Sequence, residues 1–467
     1  MPFLTRTFSA EEFGNFGLVM GIWGSLPVIF TLWIDSSVMR FISRYQQQLR
    51  LFTKVIFYLL LLVSLLEIAI GSIIVNSIRF ESEVIRGYYA LAVYCFPFFA
   101  LHLTANKFFQ ATGQASINSS LTIARVVGSN LAGIALIFLV DKRIGLFLAG
   151  NFFWLIILGI PTVFFVLKSL SNTPTISSDP EIINVPFRAT SLDMLKFGMP
   201  IVGMNISATV FAIGDRYILN FYHGSSQVGI YLAAYMIAET IVRFAFEGLS
   251  KPVVPIVFDL WEKKSEDFFL YFKNVIFVFL SIVIPIVCIF VILRKPIRIL
   301  INPSDIYQPI GQILPIIAAS VAIHGLTQFY NLIFLCQLKS KLPFCIFLCG
   351  SFVNIGLNFI FIPMFGLMGA AYTTLATYAL VFVGTAIILR RTFILKWSMR
   401  DYVNILVPVI IFCISLLFIW NLELNFVPLF NLAFTCIVSG FCYIVVHICL
   451  NRNLRFFTGK LFTTMSQ

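Results

Sequence analysis

Thirteen long apolar stretches, separated by loops alternately rich and poor in Lys and Arg, run through almost the whole of this 467-residue chain. A helical span needs about 20 predominantly apolar residues to cross a bilayer core. Such stretches fall near 14–34, 53–76, 87–105, 117–139, 145–167, 196–219, 228–249, 269–293, 309–335, 342–362, 367–389, 402–420 and 425–449. With 60% hydrophobic residues, 11% charged residues and a mean hydropathy of +0.96, the chain has no large soluble domain left over. The expected fold class is an all-α polytopic membrane protein.

Orientation follows from the cations, because Lys and Arg in short loops are retained on the cytoplasmic side. If the first span runs inward, 21 cations fall in inner loops and only 7 in outer loops, with Arg6 outside and Arg125, Arg216 and Arg243 within spans. The net charge of +12 is therefore chiefly a topology signal, not a nucleic-acid signal. This assignment places the C-terminus in the cytoplasm and the N-terminus outside. The opening Met1-Pro2-Phe3-Leu4-Thr5-Arg6 reads like a loop leaving an earlier helix. One upstream span is accordingly expected, so that 13 of 14 are present.

The nine cysteines all lie in apolar spans, without a C-x-x-C pair or a Cys/His ligand spacing, and imply neither disulfide nor metal. There is no G-x-x-x-x-G-K-[ST] loop and no H-E-x-x-H, so no ATPase motor, zinc enzyme or cofactor is indicated. The chain reads as a non-enzyme.

Internal matches point to a duplication. Glu12-Phe13-Gly14-Asn15-Phe16 pairs with Gln227-Val228-Gly229-Ile230-Tyr231, Ile144-Gly145-Leu146 with Phe365-Gly366-Leu367, and Asn130 with Asn354, at offsets of 215, 221 and 224. The expected organisation is an N-lobe over 1–168, a polar cytoplasmic linker over 169–195, a C-lobe over 196–390, and two additional helices with a tail over 391–467.

Several spans carry one polar stripe at helical spacing, as a helix lining a wet cavity does. One comprises Asn118, Thr122, Arg125, Ser129 and Gly133; a second, Asn205, Thr209, Arg216 and Asn220; a third, Ser320, His324, Gln328 and Asn331. Arg125, Arg216 and Arg243 are candidate anion-binding residues, since guanidinium groups bind phosphate oxygens bidentately and stay charged when desolvated. Against that role, Arg243 has Glu239 and Glu247 at i−4 and i+4 and Arg216 adjoins Asp215, whereas Arg125 has no local partner. Arg125, Arg216, Arg243, Asn118, Asn205, His324 and Gln328 form the candidate substrate set. Glu67, Glu239 and Glu247 are candidate ion-coupling carboxylates, with ion pairing the favoured role for the latter two.

At this point the residues carry a resemblance. Pro2-Phe3-Leu4-Thr5-Arg6 with Ser9-Ala10-Glu11-Glu12-Phe13-Gly14, Arg40-Phe41-Ile42-Ser43-Arg44-Tyr45, Gly214-Asp215-Arg216-Tyr217-Ile218-Leu219 with Val228-Gly229-Ile230-Tyr231, and Gly366-Leu367-Met368-Gly369-Ala370-Ala371 occur in order along the chain. Together they resemble the polysaccharide-exporter branch of the multidrug/oligosaccharidyl-lipid/polysaccharide (MOP) exporter superfamily, nearest to the Wzx-type O-antigen and capsule repeat-unit flippases. The resemblance implies two six-helix lobes plus two C-terminal helices, and a bacterial inner-membrane location. It implies undecaprenyl-pyrophosphate-linked oligosaccharide as cargo, H+ or Na+ as coupling ion, and a polysaccharide polymerase and chain-length regulator as partners. A cation-coupled drug or metabolite exporter of the same superfamily, or a flippase for the murein precursor lipid II, is the alternative. A membrane-embedded glycosyltransferase would need a large outer loop, which the chain lacks.

Overall fold

A computed structural model of the chain describes residues 2–42, 44–45, 48–80, 82–171, 187–337, 339, 341–422 and 428–450. The expected linker residues 172–186, including Pro174 and Pro180, and the tail from 451 onward lie outside the described residues. All regular elements among the described residues are helical. Among the described residues, twelve helices are long and apolar enough to cross a membrane, and one of these, 49 residues long, is two helices joined at a kink. The thirteen spans read from hydropathy are all accounted for.

By their contacts the helices fall into two compact units, residues 12–213 and residues 1–11 with 214–467. The first contains α2 (Ala10–Phe30), α3 (Leu32–Phe41), α4 (Leu49–Ser77), α5 (Glu83–Ala111), α6 (Ala115–Leu139), α7 (Ile144–Ser171) and most of α8 (Phe187–His223). The dividing point at 213/214 lies inside α8, whereas the sequence pattern places the lobe boundary in the linker. Helix α2 ends at Phe30, with Pro27 within it, and α3 starts after Thr31 and runs on to Phe41.

Helices α6 and α7 meet through small residues, the usual way of bringing two membrane helices into close contact. A Cβ on Gly150 would lie 2.6 Å from the Gly133 Cα and from the Ala132 carbonyl oxygen. Trp154 Nε1 donates to the Ala124 carbonyl at 2.8 Å, its ring occupying the space left by Gly128. Gly133, expected at the end of a cavity-lining stripe, is instead part of this contact, because its packing against Phe147 and Asn151 leaves no open face there. We expect Gly150→Leu to cost about 1–3 kcal/mol by overpacking. Thermal unfolding in detergent checks this, and an unchanged midpoint would contradict the contact.

The second unit contains α1 (Pro2–Thr7), α9 (Ser225–Glu262), α10 (Phe268–Ile292), α11 (Arg294–Ile301), α12 (Ile310–Cys336), α13 (Lys341–Leu389), α14 (Met399–Trp420) and α15 (Pro428–Leu450). Arg6 caps α11: its Nη2 donates to the carbonyls of Leu300 at 2.7 Å and Ile299 at 3.3 Å, where a helix end otherwise leaves acceptors orphaned. Asn302 Nδ2 returns a bond to the Thr5 carbonyl at 2.5 Å.

Within α13 the chain turns at Gly366, whose φ of +53° and ψ of −128° strongly favour glycine. His223, the last residue of α8, bonds through Nε2 to the Ile362 carbonyl at 2.8 Å beside this turn. Across the kink the two arms of α13 are knit by Asn354 Nδ2 to Thr377 Oγ1 at 3.3 Å and Thr373 Oγ1 to Asn358 Oδ1, and Asn358 Nδ2 links the two asparagines within the first arm, to Asn354 Oδ1 at 2.9 Å. Asn130, its repeat-matched counterpart, instead bonds back to its own helix at Val126 and is exposed.

The last two helices dock on α10. Lys273 Nζ pairs with Asp401 Oδ2 at 2.6 Å, with both side chains about four-fifths buried, and Asp401 also closes the capping box with Ser398 at the start of α14. Tyr443 of α15 donates to the Ser281 carbonyl at 2.6 Å.

Candidate translocation site

In the first unit, the polar side chains gather where α3, α5 and α6 meet. Arg125, in mid-α6, lies over the Phe99 ring with its Cζ 5.8 Å from the centroid, within the range of a cation–π contact. Its Nε is buried with no bonded partner, and no carboxylate pairs with it among the described residues. Across from it on α5, His102 is 1% exposed and within electrostatic reach of the guanidinium. Asn106 Nδ2 donates to His102 Nε2 at 3.0 Å and to Thr122 Oγ1 at 3.4 Å, tying α5 to α6. Because Nε2 accepts here, the imidazole proton sits on Nδ1, and that donor is left over, as is the Asn106 Oδ1 acceptor. One cation, one leftover N–H and one leftover carbonyl oxygen suit a ligand that carries both negative charge and hydroxyls.

Asp35 on α3, which sequence reading passed over at a span end, is 5% exposed and accepts from Thr104 Oγ1 at 2.5 Å. Its helix follows α2 directly, with Thr31 N bonded to Pro27 O and Asp35 N to Thr31 O, both at 3.0 Å. Glu67 on α4 is 1% exposed, and neither carboxylate oxygen has a hydrogen-bond partner among the described residues. The Asn118 backbone carbonyl accepts from Thr122 Oγ1 at 2.8 Å, and Asn205 Nδ2 donates back to the Ile201 carbonyl at 2.9 Å. The first two stripes are thus brought into contact with neighbours only in part.

The second unit holds a parallel arrangement. Gln328 Nε2 lies 3.2 Å from His324 Nε2, one turn apart on α12, just as Asn106 and His102 are one turn apart on α5. Each member is 222 residues from its counterpart, in register with the duplication. His324 packs at 4.7 Å against Tyr378 and at 6.0 Å against Phe347. Phe347 stands 222 residues after Arg125, so the same repeat position is a cation in one half and an aromatic ring in the other.

Arg216 on α8 stacks over Tyr235 at 4.8 Å with its Nε unbonded. Its neighbour Asp215 is 1% exposed and turns elsewhere, accepting from Tyr231 at 2.5 Å and Thr374 at 3.4 Å. Adjacent helical residues point about 100° apart, so adjacency on a helix did not imply a pair.

Arg243 differs from the other two arginines. It is held between Glu247 at 2.7 Å and Glu239 at 3.5 Å, and Lys251 continues the series at 3.7 Å from Glu247. Arg243, Glu239 and Glu247 are therefore occupied with one another, leaving Glu67 without a partner among the three coupling candidates. The Arg243 side chain is nonetheless 63% exposed. A charge facing hydrocarbon in mid-span costs at least about 2.5–3.5 kcal/mol, so four consecutive exposed charges mark a face of α9 that meets water. In a cysteine-free background, Arg243→Cys is expected to react with a membrane-impermeant maleimide much faster than Ile414→Cys on the apolar face of α14. Equal rates would remove the argument for a wet face. Among the described residues no three His, Cys, Asp or Glu side chains converge to hold a metal.

The fold and this interior polarity define a class, a multi-pass helical membrane protein. The lipid II flippase MurJ in an inward closed conformation superposes with a TM-score of 0.72 at 14% identity, covering 96% of this chain and 94% of that one. An inward-facing multidrug resistance MATE transporter of the MOP superfamily gives 0.63 at 14% identity, over 84% and 94%. The chain is also 25% identical over 398 residues to an uncharacterized membrane protein of Methanocaldococcus jannaschii, 81% of this chain and 90% of that protein. Residues 1–261 match the polysaccharide biosynthesis protein family, and the chain belongs to that family.

Proposed function

We propose that the chain is a flippase that carries a polyprenyl-pyrophosphate-linked oligosaccharide repeat unit across the cytoplasmic membrane by alternating access. The carrying observation is Arg125, a mid-helix guanidinium with an unbonded Nε and no carboxylate beside it among the described residues. A drug exporter for organic cations calls for spare acid, which Asp35 and Glu67 could supply, whereas an anionic cargo calls for a spare cation, and no carboxylate pairs with Arg125 among the described residues. Arg125 takes a phosphate oxygen, and His102 Nδ1 and Asn106 Oδ1 meet sugar hydroxyls. Arg216 and the pair His324 and Gln328 are the corresponding contacts of the second unit, and Glu67 carries the coupling ion. The protein resides in a bacterial inner membrane with its C-terminus cytoplasmic, and hands its cargo to a polymerase and chain-length regulator for O-antigen, capsule or exopolysaccharide assembly. Membership of the polysaccharide biosynthesis family supports this reading.

The likeness to MurJ over 96% of the chain favours a second cargo, lipid II. Expression in three hosts separates the readings: one lacking its repeat-unit flippase, one depleted of its lipid II flippase, and one hypersensitive to cationic drugs. Restored surface polysaccharide in the first host is the expected result. Rescue of the second host alone would replace the cargo by lipid II, and drug resistance alone would overturn the flippase reading.

A further inference from the structure

Between the last turns of α4 and the first turns of α5 lies a crevice of about 370 Å3, lined among others by Ser72, Asn76, Glu83, Arg86 and Tyr94. An ion pair at the surface borders it: Arg86 Nη1 donates to the two Glu83 oxygens at 3.1 and 3.0 Å, and Arg86 Nη2 donates to Asn76 Oδ1 at 2.5 Å. Ser72 Oγ lies 3.3 Å from the Tyr94 hydroxyl on the wall. Phe80 in the connecting loop stacks on Tyr89 at 5.1 Å and holds the loop back against α5. Val75, Ala90 and Val93 add apolar surface to the lining, and next to the lining residues in sequence stand the exposed apolar side chains Ile73, Ile74, Ile78 and Val84.

We propose that this crevice binds the headgroup of a zwitterionic aminophospholipid, with the acyl chains lying along these apolar side chains. The placement is that of a membrane interface: the site sits where two spans end, with an open charged pair beside apolar lining residues. The charge pattern selects the headgroup. A purely anionic headgroup would leave the Glu83 carboxylate facing a phosphate, whereas a phosphate bearing a primary ammonium gives Arg86 and Glu83 one opposite charge each. The ammonium supplies N–H donors to Glu83, which a quaternary ammonium lacks. Ser72 and Tyr94 offer hydroxyls to the phosphate. None of these residues belongs to the Arg125 cluster, so the assignment is independent of the cargo.

The test is thermal unfolding of the full chain in detergent with added dioleoyl-phosphatidylethanolamine, -phosphatidylcholine or -phosphatidylglycerol. A lipid that binds only the folded state raises the midpoint, and phosphatidylethanolamine is expected to do so by about 2 °C or more beyond the other two. Glu83→Gln, at a side chain 84% exposed and so harmless to folding, should reverse the order in favour of phosphatidylglycerol by leaving Arg86 as a bare cation. Arg86→Ala should abolish all headgroup preference. Equal stabilisation of the wild type by the three lipids, or a Glu83→Gln variant that still prefers phosphatidylethanolamine, would overturn the site.

Discussion

Arg125→Ala is expected to abolish export of the lipid-linked cargo while the amount of folded protein in the membrane stays unchanged. The guanidinium holds nothing together in the structure beyond its contact with the Phe99 ring, so its removal frees no buried carboxylate and opens no ion pair. What is lost is a charge-assisted interaction with the cargo, worth about 1.5–3 kcal/mol, or on the order of 10- to 100-fold in affinity. Arg125→Lys restores the charge but not the two-pronged geometry and should recover export in part. Surface polysaccharide and membrane protein level, measured together, decide the matter. Full export by the alanine variant would sink the assigned role, and loss of the protein itself would make Arg125 a structural residue.

Glu67 carries the second large effect, and it has two faces. A carboxyl that is 1% exposed, with neither oxygen bonded among the described residues, is a costly thing to keep in a membrane helix unless its charge is used. Glu67→Leu should therefore stabilise the protein, by about 1–3 kcal/mol, while Glu67→Gln, which keeps the shape and removes the titration, should disconnect cargo movement from the ion gradient. Midpoints of thermal unfolding and gradient-driven transport in proteoliposomes are the two measurements. If Glu67→Gln transports with an unchanged response to the gradient, the coupling role fails even if the leucine variant is more stable. An increase in stability paired with a loss of coupling is the pattern of a group retained for function at the expense of the fold.

Hydropathy and charge bias alone located every membrane helix of the described chain, because the bilayer imposes length and polarity on each span locally. The ladder around Arg243 was equally legible, since its partners sit one turn away on the same helix. The surroundings of Arg125 were not. His102 and Asn106 lie on α5, and no spacing within one helix announces a contact across two. Asp215 was hidden for the opposite reason: the charge next to it in sequence drew attention from Tyr231 and Thr374, which hold it. Gly133 satisfied the period of a polar stripe, but glycine fits a helix contact as well as a cavity wall, and only the packing of α6 on α7 separates the two. Asp35, just past the end of an apolar stretch, was hidden in the same way, since Thr104, which holds it, lies on another helix.

The turn at Gly366 has a consequence for how the protein is made. With one residue outside helical geometry between its two arms, α13 has no connecting loop to speak of. Neither arm can be released into the bilayer and wait for the other, so the pair enters as a single hairpin after both have left the ribosome. The asparagine and threonine side chains that join the arms all lie within the hairpin, so their bonds need no other helix of the unit. The same tightness leaves no room on that side of the membrane for an inserted epitope or a protease site. Lengthening the turn would be felt first in biogenesis and only afterwards in transport.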